Sequence, residues 1–493
     1  MEGNTMETLR VRIEEGDTTE LTPARVHLQD ANGKFHYPNE CVPYEKDGHF
    51  TVNGEFEISL PAGKYSILIE KGKEYRPISG DLVIRKGEDH HVDCEIHRWI
   101  NMAERGWYSG DLHIHRPINN MAHLIRAEDL NVAPDITVWN QRNDWAGKEI
   151  PQSKIVQVDE THVYGIMTQE DERGGGAVMI MDLDSPVDLG PTSQWHPANF
   201  AYCQAAREKG LIVDQEKPFW WEAPVNVALG GVDTIGIINN HIQRESIMDN
   251  EAWGRPRDKD RYPGYQGFVE NVLDLYYRYL NLGLKLPISA GSASGVLKNP
   301  VGYNRLYVHL GRRFSYDRWF RGMKAGIAFA TNGPMLFFSI GRCELGETLE
   351  IPVGQEFRGK ASLNVLSQAE LDRAEIIYNG EIIHEFNAGG SSELTREFDI
   401  SLDRSGWVAA RAFERNHKTI RFAHTNPVYI EIGAPMKPRE DAARYYLDWC
   451  SELLAASLAD TTRYATSKQR EEVEALYRRS TTFYRNLLHQ ADE

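Results

Sequence analysis

The sequence predicts a multidomain protein: a central α/β domain flanked by two β-sandwich modules, with a helical segment at the C-terminal end. Three observations predict it. At 493 residues the chain is too long for one ordinary hydrophobic core. Apolar and polar residues alternate with a period of two in residues 1–98 and again in 346–434, whereas residues 99–345 set short apolar runs between helical stretches. A composition of 41% hydrophobic and 26% charged residues is that of an ordinary globular chain, neither disordered nor membrane-spanning.

The elements follow in order. In residues 1–98, Gly54-Glu-Phe-Glu-Ile-Ser-Leu60 alternates, Pro61-Ala-Gly63 punctuates, and Tyr65, Ile67 and Ile69 resume, which predicts a hairpin in a small sandwich. In its pattern this block resembles carboxypeptidase regulatory-like modules. In residues 99–345, Met121 to Leu130 reads as a helix. Ala133 to Trp139, Ala177 to Met181, Gly210 to Val213 and Thr234 to Ile238 read as buried strands whose polar ends face one pocket. In residues 346–434, Asn379-Gly380 between two apolar runs predicts a tight hairpin, and Arg404 to Phe413 a central strand of a second sandwich. Past Pro435 and Pro438, residues 435–493 turn helical. Their stripe of Val473, Leu476, Tyr477, Tyr484, Leu487 and Leu488 docks either on the main body or on a second copy in a homo-oligomer.

Charge and cysteine usage exclude several classes. A net charge of -17 without a basic stripe argues against a nucleic-acid partner, which needs cations to neutralise phosphates. The five cysteines are scattered with no Cys-x-x-Cys pair, so reduced buried thiols are expected rather than disulfides or a thiolate metal site. No apolar stretch long enough to cross a bilayer occurs, and the N-terminus lacks a signal-peptide core. The chain as written is therefore expected to be cytoplasmic, without membrane insertion, and secreted or periplasmic if a signal peptide was removed. Gly291-Ser-Ala-Ser-Gly295 has Ala293 where a nucleophile elbow needs its serine, and Gly174 to Gly176 lack the Lys-Ser/Thr of a phosphate loop.

Metal chemistry is the positive signal. Gly106-Trp-Tyr-Ser-Gly-Asp-Leu-His-Ile-His-Arg116 carries His113 and His115 one residue apart; on a strand, the period of two puts both rings on one face. A catalytic metal site wants three or more ligands and one open position. Four residues of the central domain are placed to complete it: Glu170 and Glu172 beside an apolar run, Glu216 between Leu211-Ile-Val213 and Pro218-Phe-Trp-Trp221, and His241 after Ile235 to Ile238. Each has a plainer alternative: a solvated loop for the Glu170 to Arg173 run, a salt bridge for Glu216, a hydrogen-bonded core histidine for His241. Lys217 is a substrate contact, a proton donor or a solvated charge.

Gly-Asp-Leu-His-Ile-His, the strand end Asp135-Ile-Thr-Val-Trp-Asn140, and Ser289-Ala-Gly-Ser-Ala-Ser-Gly-Val296 with Gly302-Tyr-Asn-Arg-Leu-Tyr307 resemble the PHP-like metallohydrolases of the CehA/McbA group. The resemblance spans roughly residues 100–335 and implies a distorted β/α barrel. The chain departs from that pattern where ligands would lie: Thr137-Val138-Trp139-Asn140 stands for Thr-Asp-His-Asn, Glu216-Lys217-Pro218 for His-Pro, and Gly291-Ser-Ala-Ser-Gly295 for Gly-Ser-Asp-Ser-His. The family's multi-metal centre is thus reduced to one site. His113, His115, Glu216 and His241 are its expected ligands, Glu170 a further carboxylate, and Zn, Mn or Fe(II) the single ion.

The expected activity is metal-dependent hydrolysis of an ester, amide or phosphoester of a small, sugar-linked molecule. Glu170 or Glu172 serves as base, Lys217 or Arg305 holds an anionic group, and Asn240, Tyr303 and Trp220 line the pocket. The alternatives are a metal-assisted lyase acting on a carbohydrate-type substrate through Lys217, and a non-catalytic binding protein on a degenerate scaffold.

Overall fold

The computed structural model describes residues 6–16, 18–415 and 417–492. It is mostly β, in four sheets, with seven α-helices among the described residues. No helix there is long and apolar enough to cross a membrane.

The N-terminal module packs a four-stranded sheet on a five-stranded one. Glu55–Pro61 pairs with Met6–Glu15 in the first, whereas Gly63–Glu70 pairs with Ala24–Asp30 and Ile78–Ile84 in the second. The hairpin expected at Pro61-Ala-Gly63 is therefore a corner between sheets. Phe56, Ile58 and Leu60 share one core with Tyr65, Ile67 and Ile69, so each strand covers that core from its own side.

Through the central region, strands run in the spatial order Trp107–Gly110, Val132–Trp139, Val163–Arg173, Gly176–Met181, Ile212–Gln215, Thr234–Ile238 and Ile288–Ala290. Five are buried along their whole length, as expected of strands covered on both faces. The order then returns to its start. Leu112 N donates to Ala290 O, and Ile114 bridges both Asp135 and Ser294. The helices Ile118–Ala127, Asn199–Glu208 and Gly264–Leu280 connect these strands, burying Leu124, Cys203 and Tyr276.

The ladder does not stop at the third module. Trp107–Gly110 also pairs with Arg305–His309, which pairs with Ala328–Thr331, which pairs with Phe422–Thr425. One 17-stranded sheet thus passes from the central region into the C-terminal sandwich, whose second layer is the three-stranded sheet of Met335–Ile340, Phe357–Leu366 and Glu393–Leu402. The Asn379-Gly380 hairpin forms as expected, with Asn379 at φ 53° and Gly380 at φ 91° as a type I′ turn requires. Gly406–Glu414 is a central strand with three partners.

The helices Glu440–Ala459 and Ser467–Asp492 pack on each other and on the central region. Val473, Tyr477 and Tyr484 are buried; Tyr477 donates to Glu222 at 2.6 Å and Tyr484 to the Pro224 carbonyl at 2.8 Å. Tyr446 stacks on Tyr279 with ring centroids 4.1 Å apart. Of the two fates expected for the stripe, docking on the main body is the one these contacts use.

Candidate metal centre

The His113/His115 segment differs locally from the expected strand. Regular pairing ends at Gly110, because the buried Asp111 carboxylate accepts the backbone N–H groups of His113, Ser292 and Gly302 and pulls the chain out of the ladder. The two rings converge nonetheless. His113 Nε2 and His115 Nε2 face each other at 3.0 Å, with Glu170 oxygens 3.6 Å from the first and 3.1 Å from the second. Glu170 comes from Val163–Arg173, where the two-residue period sets it and Glu172 on one face.

One donor atom from each of His113, His115 and Glu170 lies within 4.8 Å of the others, and all three side chains are buried. Zinc holds nitrogen ligands at about 2.0–2.1 Å in a tetrahedron, which sets neighbouring donors a little over 3 Å apart. The observed separations match that spacing. His115 Nδ1 is buried without a hydrogen-bond partner among the described residues, and the converging atoms, the two Nε2 nitrogens and the Glu170 oxygens, have only one another as side-chain partners there.

Glu216 stands behind this group rather than in it. Its Oε1 lies 3.2 Å from His113 Nδ1, the ring nitrogen opposite the converging one. Trp220 Nε1 donates to Oε2 at 2.9 Å, and Lys217 Nζ bonds both oxygens while lying 4.3 Å from the Trp220 ring centroid. The expected ligand is thus held as an orienting carboxylate because its neighbour Lys217 and the indole have claimed it. Trp220, 1% exposed, is a wall of the site rather than an open lining surface.

His241 is likewise outside the converging set. Its ring stacks on Phe268 at 5.8 Å and 15°, Phe219 packs at 5.5 Å, and Nδ1 donates to the Asn250 carbonyl at 2.9 Å. That tautomer leaves Nε2 with the lone pair. Asn240 is buried, with Oδ1 unpartnered among the described residues.

Charges in the cluster are strongly coupled. Burial opposes protonation of His113, yet Glu170 and Glu216 outweigh it and lift the imidazole to about 10. For His115 burial prevails and pushes the imidazole down. Burial also opposes ionisation of Glu170 and Glu216, but His113 and His115 hold the first well below the carboxylate range, and Lys217 with His113 holds the second at about 2. Glu172 goes the other way: burial, reinforced by Glu170, raises it to about 7. Burial, with Lys217 next, lowers His241 to about 3.

Trp139 was not singled out as a site residue, yet its ring sits 4.9 Å from that of His115 and its Nε1 donates to Glu172 Oε2 at 3.1 Å. Asn140 accepts the Glu172 N–H at 2.8 Å. The departure from Asp-His at Val138-Trp139, next to Asn140, is the sequence signal that points to them. Trp139 and Glu172 are only half-buried, whereas His113, His115, Glu170, Glu216 and Lys217 are each at most 6% exposed, so the cluster's covering is thinnest on the Trp139 side.

Tyr303 and Arg305, expected to bind substrate here, lie elsewhere. Arg305 turns its guanidinium to the carbonyls of Gly302, Glu128 and Asp129, and both residues line a cavity that includes none of the cluster residues. Arg305 starts a strand antiparallel to Trp107–Gly110, and its guanidinium lies against Gly72 of the N-terminal module. A scan against protein-family models found no match to this chain, and a search of curated proteins found none either.

Proposed function

We propose that this protein is a metal-dependent hydrolase on a PHP-like scaffold, cleaving an ester, amide or phosphoester bond of a small molecule. The observation that carries the reading is the convergence of His113 Nε2, His115 Nε2 and a Glu170 oxygen on one buried point, where they have only one another as side-chain partners among the described residues. These three would hold one divalent ion, with Zn, Mn and Fe(II) all suited to imidazole and carboxylate. When bound, the ion supplies Lewis acidity and makes water nucleophilic near neutral pH. The central strand order that returns to its start supports the barrel part of the proposal.

The side chains divide the remaining work. Glu216 fixes the His113 ring through Nδ1, as carboxylates behind metal-binding histidines do. Lys217 keeps Glu216 ionised and in place, and its ammonium, spent on that contact, is not assigned to substrate. Glu172, on the same strand face as Glu170 and steadied by Trp139, is placed to take the proton of an attacking water. Trp139 and Asn140 form the side by which a small molecule enters.

The test combines metal content with product labelling. Protein loaded with Zn or Mn is expected to bind about one equivalent, and active protein to place solvent oxygen in the product. Less than about a tenth of an equivalent after metal addition would sink the reading. An unsaturated product without solvent oxygen would mean a lyase. The burial of every ligand favours a second reading, a metal-binding but non-catalytic protein, for which full metal content with no turnover of ester, amide or phosphoester panels is the expected result.

A further inference from the structure

Tyr303 and Arg305 line a cavity of about 110 Å³ at the junction of all three modules. Lys73 and Arg25 come to it from the N-terminal module, Arg244, Tyr303 and Arg305 from the central one, and Arg421 from the C-terminal one. A volume of about 110 Å³ is well beyond what a single water needs, so the space admits a small oxyanion.

The charges around it do not balance. Each carboxylate on the wall is already engaged. Glu70 pairs with Arg25 at 2.9 Å, Glu128 with Arg25 at 2.8 Å, and Glu414 with His417 at 2.8 Å and more loosely with Arg421 at 3.9 Å while also accepting from Ser367. Arg244 pairs with Asp47 at 3.4 Å. Two cations are left without a carboxylate among the described residues. Lys73 Nζ donates to the Asn332 carbonyl at 2.7 Å, and Arg305 is spent on backbone carbonyls.

Two unfilled donors complete the picture. Tyr303, 4% exposed, has its hydroxyl buried with no hydrogen bond of normal geometry among the described residues, and Arg421, which faces that hydroxyl, has its Nε buried in the same state. Buried donors of this kind are costly unless something accepts from them. Lys73 lies 4.1 Å from the Tyr303 ring centroid, so the hydroxyl and the lysine nitrogen belong to one locus, and burial with Arg421 and Arg305 beside it pushes that lysine well below its ordinary value, a cost an anion would relieve.

We infer that this junction is a binding site for a small oxyanion of the phosphate or sulfate type, held by Lys73, Tyr303 and Arg421 and bridging the three modules. It is separate from the proposed metal centre and does not depend on that reading.

Calorimetric titration of the full chain with inorganic phosphate, at ionic strength matched with chloride, tests it. Saturable binding is expected, weakened about tenfold or more in Tyr303→Phe, which keeps the ring and removes only the donor, and in Lys73→Met. If Lys73→Met fails to fold, Tyr303→Phe decides. Glycerol phosphate in a parallel titration separates the sources: equal binding points to the phosphate end of a metabolite, and loss of binding to the free ion. No saturable binding in the unaltered chain, or unchanged affinity in Tyr303→Phe, overturns the assignment.

Discussion

Two buried clusters in this chain offer the same donor types to a metal, His113/His115/Glu170 and His27/Asp47/His49, and their surroundings set them apart. In the second, Asp47 lies 2.8 Å from His49 Nδ1 and 3.3 Å from His27 Nε2, while Arg244 Nη2 donates to His27 Nε2 at 3.0 Å. Burial, with Arg25 among the opposing charges, lowers His49 to about 3. A divalent ion there would displace hydrogen bonds already made and meet guanidinium charge. In the first, the two Nε2 atoms face each other and the Glu170 carboxylate, no guanidinium bonds either ring among the described residues, and the buried Lys217 is tied to Glu216. Donor inventory alone does not make a metal site; what the neighbouring charges have already satisfied decides it.

The widest separation between the clusters is expected from ligand removal. His113→Ala should lose its metal entirely by elemental analysis, while His49→Ala keeps the content of the unaltered chain. Metal retained in the first, or lost in the second, would reverse the assignment.

Stability should respond in the opposite sense. Asp47→Ala strands Arg244, His27 and His49 in a buried setting, and breaking such a network costs about 3–5 kcal/mol. Urea denaturation should show that loss with metal content unchanged.

Acid should reveal the same network. Burial works against ionised Glu70, but Arg25 and Arg244 pull it from 4.5 to about 2. A depressed carboxylate stabilises the fold fully above its unfolded value, and that contribution disappears as pH falls from about 4.5 through 2, on the order of 3 kcal/mol. Glu70→Gln should flatten this limb of the stability profile; an unchanged slope would mean the pairing contributes little.

The smallest effect belongs to the carboxylate behind His113. Glu216→Gln keeps the shape but removes the charge facing Nδ1, and about 10–100-fold weaker metal affinity is expected by competition with a chelator. A loss as complete as that of His113→Ala would make Glu216 a ligand itself.

Much of this was legible in the residues. The one-residue spacing of His113 and His115, the shared face of Glu170 and Glu172, and Asn379-Gly380 are local patterns whose geometry follows from backbone periodicity. What was not legible depended on partners distant in the chain. Asp111 gathers N–H groups from Ser292 and Gly302 and breaks the expected strand, yet the rings still meet. The alternation on either side of Pro61-Ala-Gly63 describes a sandwich corner as well as a hairpin, since both bury the same face. Glu216 looked like a ligand until Lys217 and Trp220 were seen to hold it. Arg305 followed its strand into the module junction, away from the histidines.

The central claim is tested most directly by anomalous diffraction from metal-loaded crystals at the absorption edge of the added ion. One peak is expected, about 2.0–2.2 Å from His113 Nε2, His115 Nε2 and a Glu170 oxygen, with none at His27, Asp47 and His49. A peak at the second cluster, or none at the first in fully loaded protein, would contradict the account.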